Sequence, residues 1–204
     1  MLFYLIEGLE KTDIILASTS PRRFELLKSL GLEFKVVASN VKEYDSLSTE
    51  TPKQTVMMNA RLKGREVAKQ YPDALIICAD TIVTLNAKIL GKPENEEDAF
   101  RMLTYLSGKI HTVYTAFGLI YTRYKREIFD IVRTDVSFRK LTNDEIRAYI
   151  NTGEPFDKAG AYAIQGQGAI FVQQINGCYS NVVGFPLSRF YIRLDELFKQ
   201  LPLS

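Results

Sequence analysis

Short, wholly apolar runs alternate along this chain with longer stretches in which apolar residues recur every three or four positions. Ile14-Ile15-Leu16-Ala17 and Ala74-Leu75-Ile76-Ile77-Cys78-Ala79 are unbroken apolar runs, as expected of strands buried on both faces. Residues 13–18, 34–38 and 74–79 are therefore read as strands, and 81–90 as a further short strand and turn. Residues 21–30 form an amphipathic segment that opens on Pro21 and is closed by Gly31, which predicts a helix. Residues 51–70, with Pro52 near the start, predict a longer one. Between them lies a polar loop, 39–50, that holds Glu43. Residues 95–107 carry Glu96, Glu97 and Asp98 in the first turn, where the helix dipole favours acids, and Gly108 follows.

Residues 110–121 and 128–138 both alternate. His111, Val113, Thr115, Phe117 and Leu119 share one face of the first, and Val132, Thr134, Val136 and Phe138 one face of the second. The pair reads as a long antiparallel hairpin joined by the charged loop 123–127. Thr142 and Glu145 have capping-box spacing and open a helix that ends at Gly153. A glycine-rich stretch, 157–168, leads to two short strands near 169–175 and 179–183, and then to a last helix, 186–201. This order predicts an α/β fold with a mixed twisted sheet flanked by helices. The hairpin is expected to form a second lobe, leaving a central cleft. Residues 1–12 are read as an N-terminal extension packing on a single domain, 13–204.

Composition narrows the function. Of 204 residues 46% are apolar, ordinary for a chain that buries a core. The net charge is only +2, from 26 basic and 24 acidic residues. That balance argues against a nucleic-acid or membrane-surface partner, so an anion site must be a local cluster. No apolar run approaches membrane-spanning length, and the start lacks the basic region of a signal peptide; a cytoplasmic location is expected. The two cysteines, Cys78 and Cys178, have no CxxC spacing and read as free thiols. A single histidine, His111, rules out a multi-histidine zinc site and reads as a structural, hydrogen-bonded group.

Candidate chemistry begins at Ser18-Thr19-Ser20-Pro21-Arg22-Arg23, a hydroxyl-rich turn between strand and helix. Such a turn aims backbone N–H groups, hydroxyls and guanidiniums at one spot, which suits phosphate; taken alone, the same residues read first as an ordinary N-cap with two solvated arginines. Asp80 follows the most apolar run, where a carboxylate is paired, metal-bound or simply a solvated turn acid. Val56, Ala60, Lys63 and Val67 form one inward stripe, so Lys63 must snorkel or meet an anion. Lys92 is framed by Gly91 and Pro93 in a tight loop, and Gln165 carries an amide able to donate and accept. Gly160, Gly166 and Gly168 suit either a ligand cradle or plain turns. Taken together, several cations, the acids Glu43 and Asp80, and a hydroxyl turn are what a metal-bound triphosphate needs.

The same segments resemble the Maf family of nucleoside triphosphate pyrophosphatases. The resemblance rests on Leu16 to Arg23, Ala79-Asp80-Thr81, Gly91-Lys92-Pro93, Leu106-Ser107-Gly108 with His111, Gly153-Glu154-Pro155, Asp157 to Gly166, and Asn181 to Leu187. It implies a fold similar to inosine triphosphate pyrophosphatases and hydrolysis of a nucleoside triphosphate to monophosphate and pyrophosphate. It also implies a divalent cation, Mg²⁺ or Mn²⁺, held by Asp80 and Glu43, with Asp80 the catalytic acid-base group. Ser18, Arg22, Arg23, Lys63 and Lys92 would bind the phosphates. Asp80-Thr81 and Ile164-Gln165-Gly166 resemble the branch that prefers dTTP and UTP, with modified pyrimidine nucleotides as further candidates. Arg22, Thr81 and Gln165 would then set specificity. The family's tendency is toward homodimers. The chain departs from the family pattern at Thr19, at Asn59, and at Gly64, where alanine is usual. Two other readings remain open here: a non-hydrolysing nucleotide-sensing module in cell-division control, and an inosine triphosphate-type pyrophosphatase.

Overall fold

The computed structural model describes residues 5–44 and 51–202. The end of the expected polar loop, 45–50, and the first residues of the N-terminal extension lie outside them.

Strand β1 (Ile14–Leu16) leads through the Ser18–Ser20 turn into α1 (Pro21–Lys28), then β2 (Lys35–Val36) and the long α2 (Pro52–Ala68). Strand β3 (Leu75–Leu85) turns into β4 (Lys88–Leu90), and α3 (Glu96–Leu106) follows. The hairpin is β5 (Ile110–Tyr121) and β6 (Arg126–Phe138); α4 (Asn143–Ile150), β7 (Val172–Asn176), α5 (Tyr179–Val183) and α6 (Leu187–Lys199) complete the chain. The caps follow the sequence. Ser20, Thr51 and Asn95 each accept from a backbone N–H in the first turn, and Thr142 with Glu145 closes the expected capping box.

The strands form a mixed seven-stranded sheet in the order β2-β1-β3-β5-β6-β7, with β4 also on β3. β1 pairs in parallel with β2 and β3, whereas β3-β5, β5-β6 and β6-β7 are antiparallel. One edge of β3 runs the length of β5, from Leu75↔Tyr121 to Thr84↔Thr112. Its other edge is shared. β1 covers Leu75 to Ile77 and β4 covers Val83 to Leu85, so among the described residues the middle of the strand has no neighbouring strand on that side.

Side chains alternate across β3 as a pleated strand requires. Ile76, Cys78 and Ile82 pack beneath α2 with Val56, Ala60, Val67 and Ala116. On the opposite face, Leu75, Ile77 and Ala79 join a cluster with Leu27, Phe117, Phe190 and Leu194, capped by Ile6 and Leu9 of the N-terminal segment. Val83 and Leu85 join a separate cluster with Leu103, Val136, Ile146 and Phe171. These two clusters are the cores of two lobes that share the sheet.

Several expectations need correction. Residues 74–79 and 81–90 are not separate strands: Asp80 stays in register opposite Ala116, so its charge does not break the ladder. Residues 179–183 are the helix α5 rather than a strand; Gly177 and Gly184, at φ +130 and +127, bound it, and a buried Asn181 anchors it. The β-branched pair Val182-Val183 favours a strand locally, and tertiary hydrogen bonding overrides it. Within 169–175 only the end is strand, the start being a 3-10 turn over Gly166–Phe171.

Candidate active site

A cleft of about 820 Å³ lies where β1 and β4 leave β3 uncovered. All of the candidate site residues line it: Ser18 from the turn after β1, Arg22 and Arg23 from the first turn of α1, Glu43 from the loop after β2, Lys63 from α2, Asp80 and Thr81 from β3, Lys92 after β4, and Gln165 from the glycine-rich segment. Adjacent strand residues point to opposite faces, so Asp80 faces α2 while Thr81 faces α1 and α5. The open edge lets both reach the same space.

On the α2 side, Lys63 Nζ donates to Asp80 Oδ1 at 2.7 Å and lies 2.8 Å from Glu43 Oε1. Asp80 is 5% exposed and the Lys63 side chain 14%, whereas Glu43 is open to solvent. Of the two ways an inward lysine resolves its charge, meeting an anion prevails here. Two carboxylates therefore converge on one point, held by a single ammonium. Glu43 owes its place to Asn59, one helical turn before Lys63. The Asn59 amide accepts from Tyr44 N–H at 2.7 Å and donates to Tyr44 C=O at 3.1 Å, gripping the residue after Glu43 from both sides. Gly64 is equally specific: a Cβ there would stand 2.4 Å from Cys78 Sγ. Asn59 and Gly64 thus serve the fit of α2 against the loop and β3.

On the other side, Arg23 is buried and donates three hydrogen bonds, all at 3.0 Å: Nε to Gly184 C=O, Nη1 to Ser18 Oγ and Nη2 to Thr81 Oγ1. Burial pulls its pKa down from the ordinary value, and the charge of Asp80 acts in the opposite sense. None of these partners is a carboxylate, so its positive charge is held beneath the cleft. Thr81 Oγ1 also lies 2.9 Å from Thr115 Oγ1, which donates to Asn181 C=O at 3.0 Å. Asn181 Nδ2 donates to Val113 C=O and to Thr134 Oγ1. A buried polar chain thus runs from the cleft floor across β5 to β6 and locks α5 to the sheet.

The rim is looser. Arg22 Nη1 meets Asp157 Oδ2 at 3.0 Å, tying α1 to the opposite lobe. Lys92 and Gln165 are exposed. Lys158, which sequence reasoning passed over inside the glycine-rich segment, lines the cleft with its side chain mostly buried and donates to Glu154 C=O and Asp157. Asn59 and Asp157 were also not singled out as site residues; an amide on the inward stripe of α2 is the one signal that pointed to the former.

The thiols and the histidine take no part. Burial pushes the Cys78 thiol up to about 12, so it stays protonated, and both cysteines are free. His111 Nε2 bonds Tyr162 Oη at 2.7 Å between the rings of Phe138 and Tyr162; burial lowers its pKa to about 4, against a small upward pull from Asp135. It is a neutral core group in the second lobe.

The fold is a mixed α/β sheet with a cleft at an uncovered strand. The chain belongs to the Maf-like protein family, whose pattern it matches over residues 13–197. Its relatives include the dTTP/UTP pyrophosphatase of Geotalea uraniireducens, 54% identical over 177 residues, covering 87% of this chain and 91% of that one. The dTTP/UTP pyrophosphatase of Dictyoglomus thermophilum is 45% identical over 194 residues, 95% of this chain and 98% of that one. Among solved structures, a nucleoside-triphosphatase (dITP/XTP pyrophosphatase) from Mycobacterium abscessus aligns at 15% identity with a TM-score of 0.44, covering 94% of this chain and all of that one. No described helix is long and apolar enough to cross a membrane.

Proposed function

We propose that the chain is a nucleoside triphosphate pyrophosphatase that hydrolyses dTTP and UTP to the monophosphate and pyrophosphate. The observation that carries this reading is the lining of one cleft by every candidate residue, with Lys63 joining Asp80 to Glu43. Relatives spanning nearly the whole chain bear that activity in their names, which supports it.

The triphosphate lies along the uncovered edge of β3, with Lys63, Lys92 and Arg22 on its oxygens. Arg23 acts from below. It fixes Ser18 and Thr81 and adds a charge that water cannot screen. Asp80 Oδ2, the oxygen that Lys63 leaves unbonded, accepts the proton of the water that attacks the α-phosphorus. The bond from that phosphorus to the bridging oxygen breaks, and pyrophosphate departs with the cations neutralising its charge. The base sits toward Gln165, whose amide donates and accepts as the 4-oxo edge of a uracil or thymine ring requires. Thr81 influences the choice of base through the floor that its hydroxyl holds.

Asp80 and Glu43 fit a small divalent cation. Their oxygens already converge on one cationic point, and both are hard ligands. No cluster of three or more His, Cys, Asp or Glu side chains capable of holding a metal occurs among the described residues. That set suits Mg²⁺ or Mn²⁺ completed by phosphate oxygens and water rather than a cage built by protein alone. Such an ion supplies charge neutralisation and a more acidic water.

The test is product analysis with Mg²⁺ over dTTP, UTP, CTP, GTP, ITP and XTP. Monophosphate and pyrophosphate from dTTP and UTP in preference to the rest are expected. Release of inorganic phosphate with a diphosphate, or binding without turnover, would refute the reading; a preference for ITP and XTP would replace the substrate.

A further inference from the structure

Glu154 and Tyr149 do not line the cleft, yet together they hold the segment that carries Gln165 into it. Gly153, at φ +75, turns the chain from α4 into a 3-10 turn beginning at Glu154. The Glu154 carboxylate then lies under the 163–168 turn. Its Oε1 accepts from Tyr149 Oη at 2.9 Å and from Gly168 N–H at 3.2 Å, and its Oε2 accepts from Gln167 N–H at 3.0 Å. Tyr149 Oη in turn accepts from Ala163 N–H at 3.3 Å. The pair thus grips main-chain amides on both sides of Gln165, one before it and two after.

Two glycines explain themselves by this grip. Gly166 has φ +74, and a Cβ there would stand 2.8 Å from Glu154 Oε2. A Cβ on Gly168 would stand 2.6 Å from Ala163 C=O and 2.8 Å from Tyr149 Oη. Both glycines give room to the carboxylate and the phenol. The carboxylate is desolvated, which raises its pKa, but the Gln167 and Gly168 amides and the Tyr149 hydroxyl outweigh that and keep it ionised. The Tyr149 ring packs edge-on against Phe171 at 5.0 Å, so the clamp is anchored in the core of its lobe. Gln165 itself makes no such bond and is exposed.

We infer that Glu154 and Tyr149 are positioning residues that set Gln165 and thereby the preference of the cleft for a base with a 4-oxo edge over one with a 4-amino edge. The inference rests on Gln165 contacting the base, as proposed above. Charge-assisted bonds from the Gln167 and Gly168 amides, with Tyr149 as the anchor outside the turn, hold the backbone from which the Gln165 amide must present its donor and acceptor to the base.

UTP and CTP differ at that edge alone, so the ratio of their kcat/KM values is the readout. Four variants are compared with the parent: Gln165→Ala, Glu154→Gln, Tyr149→Phe, and Glu154→Gln combined with Gln165→Ala. Glu154→Gln replaces one acceptor oxygen by a donor facing an N–H. It is expected to lower the UTP/CTP ratio about tenfold, mainly through KM for UTP. Tyr149→Phe should shift the ratio the same way and decides the matter if Glu154→Gln does not fold. The double variant should be no less selective than Gln165→Ala alone, because both changes act through one amide. Retention of the parent ratio by Glu154→Gln and Tyr149→Phe, while Gln165→Ala loses it, would overturn the clamp and leave the base contact standing. An equal fall for both nucleotides would reduce the clamp to a structural role. Retention of the ratio by Gln165→Ala would remove the base contact itself.

Discussion

Asp80 is the residue on which the chemistry turns, and its environment is separable from its charge. Replacing it by asparagine keeps the shape and an acceptor for Lys63 while removing the proton acceptor. Asp80→Asn should therefore lose about 10²–10⁴-fold in kcat with an unchanged circular dichroism spectrum; near-parental turnover would take Asp80 out of the reaction. This residue was legible in the sequence because a carboxylate beside an unbroken apolar run needs a partner. Lys63 was legible for the mirror-image reason, a cation on an apolar stripe. Asn59 and Lys158 were harder to see. Asn59 lies on the inward side of α2 and Lys158 in a glycine-rich segment, but neither side chain names the backbone it will grip: the gripped groups, Tyr44 and Glu154, lie 15 and 4 residues away.

At the scale of elements, the fit of α2 on β3 is set by a missing methyl. Gly64 sits against Cys78 Sγ and Ile120, and Cys78 in turn lies against Gly118, where a Cβ would stand 2.9 Å from its sulfur. Gly64→Ala gains helix propensity of about 1 kcal/mol, but the buried clash should cost more, about 1–3 kcal/mol. The net effect expected in urea denaturation is a loss of stability. Cys78→Ala removes the sulfur, so the pair Gly64→Ala with Cys78→Ala should recover most of that loss; additive losses would show that the contact is not the cause. Elements such as α2, the hairpin and the capped helices were readable because period and caps agree. α5 was not, since its five residues are held by the Asn181 bonds to Val113 and Thr134, which lie far off in sequence. The break expected at Asp80 was a misreading of the same kind: the pairing of β3 with β5 carries the charge through.

At the scale of the whole molecule, stability answers to acid through one buried ring. His111 is neutral in the folded chain down to about pH 4, whereas the unfolded chain takes up its proton below about 6.5. The folded form is then fully favoured above pH 6.5 and loses ground as pH falls toward 4, by about 3 kcal/mol at the limit. His111→Gln should flatten the urea midpoint between pH 7 and 4.5. An unchanged slope would show that His111 is not the group responsible. Glu145, whose pKa the Arg139 hydrogen bond lowers to about 2, opposes nothing in that window, because its stabilisation is lost only below about 4.5. Two lobes with a central cleft were foreseen, but the hairpin expected to form the second lobe runs through both: Phe117 and Leu119 lie in one core, Val113, Val136 and Phe138 in the other, because its strands are the middle of the shared sheet. The placing of the cleft was not foreseen, because it depends on how far β1 and β4 extend along β3.

That unfinished edge has one more consequence. The N–H of Leu75 donates to Asp13 and the C=O of Ile77 accepts from Ala17, so odd-numbered peptide groups of β3 face the β1 and β4 side. By the same alternation the amides of Ala79 and Thr81 look into the gap rather than toward β5. Deuterium should reach these two well before it reaches Ile76 or Cys78, although all four sit in one continuous strand. A seated nucleotide should slow that labelling at Ala79 and Thr81 and leave their even-numbered neighbours as they were, turning a missing ladder rung into a reporter of occupancy.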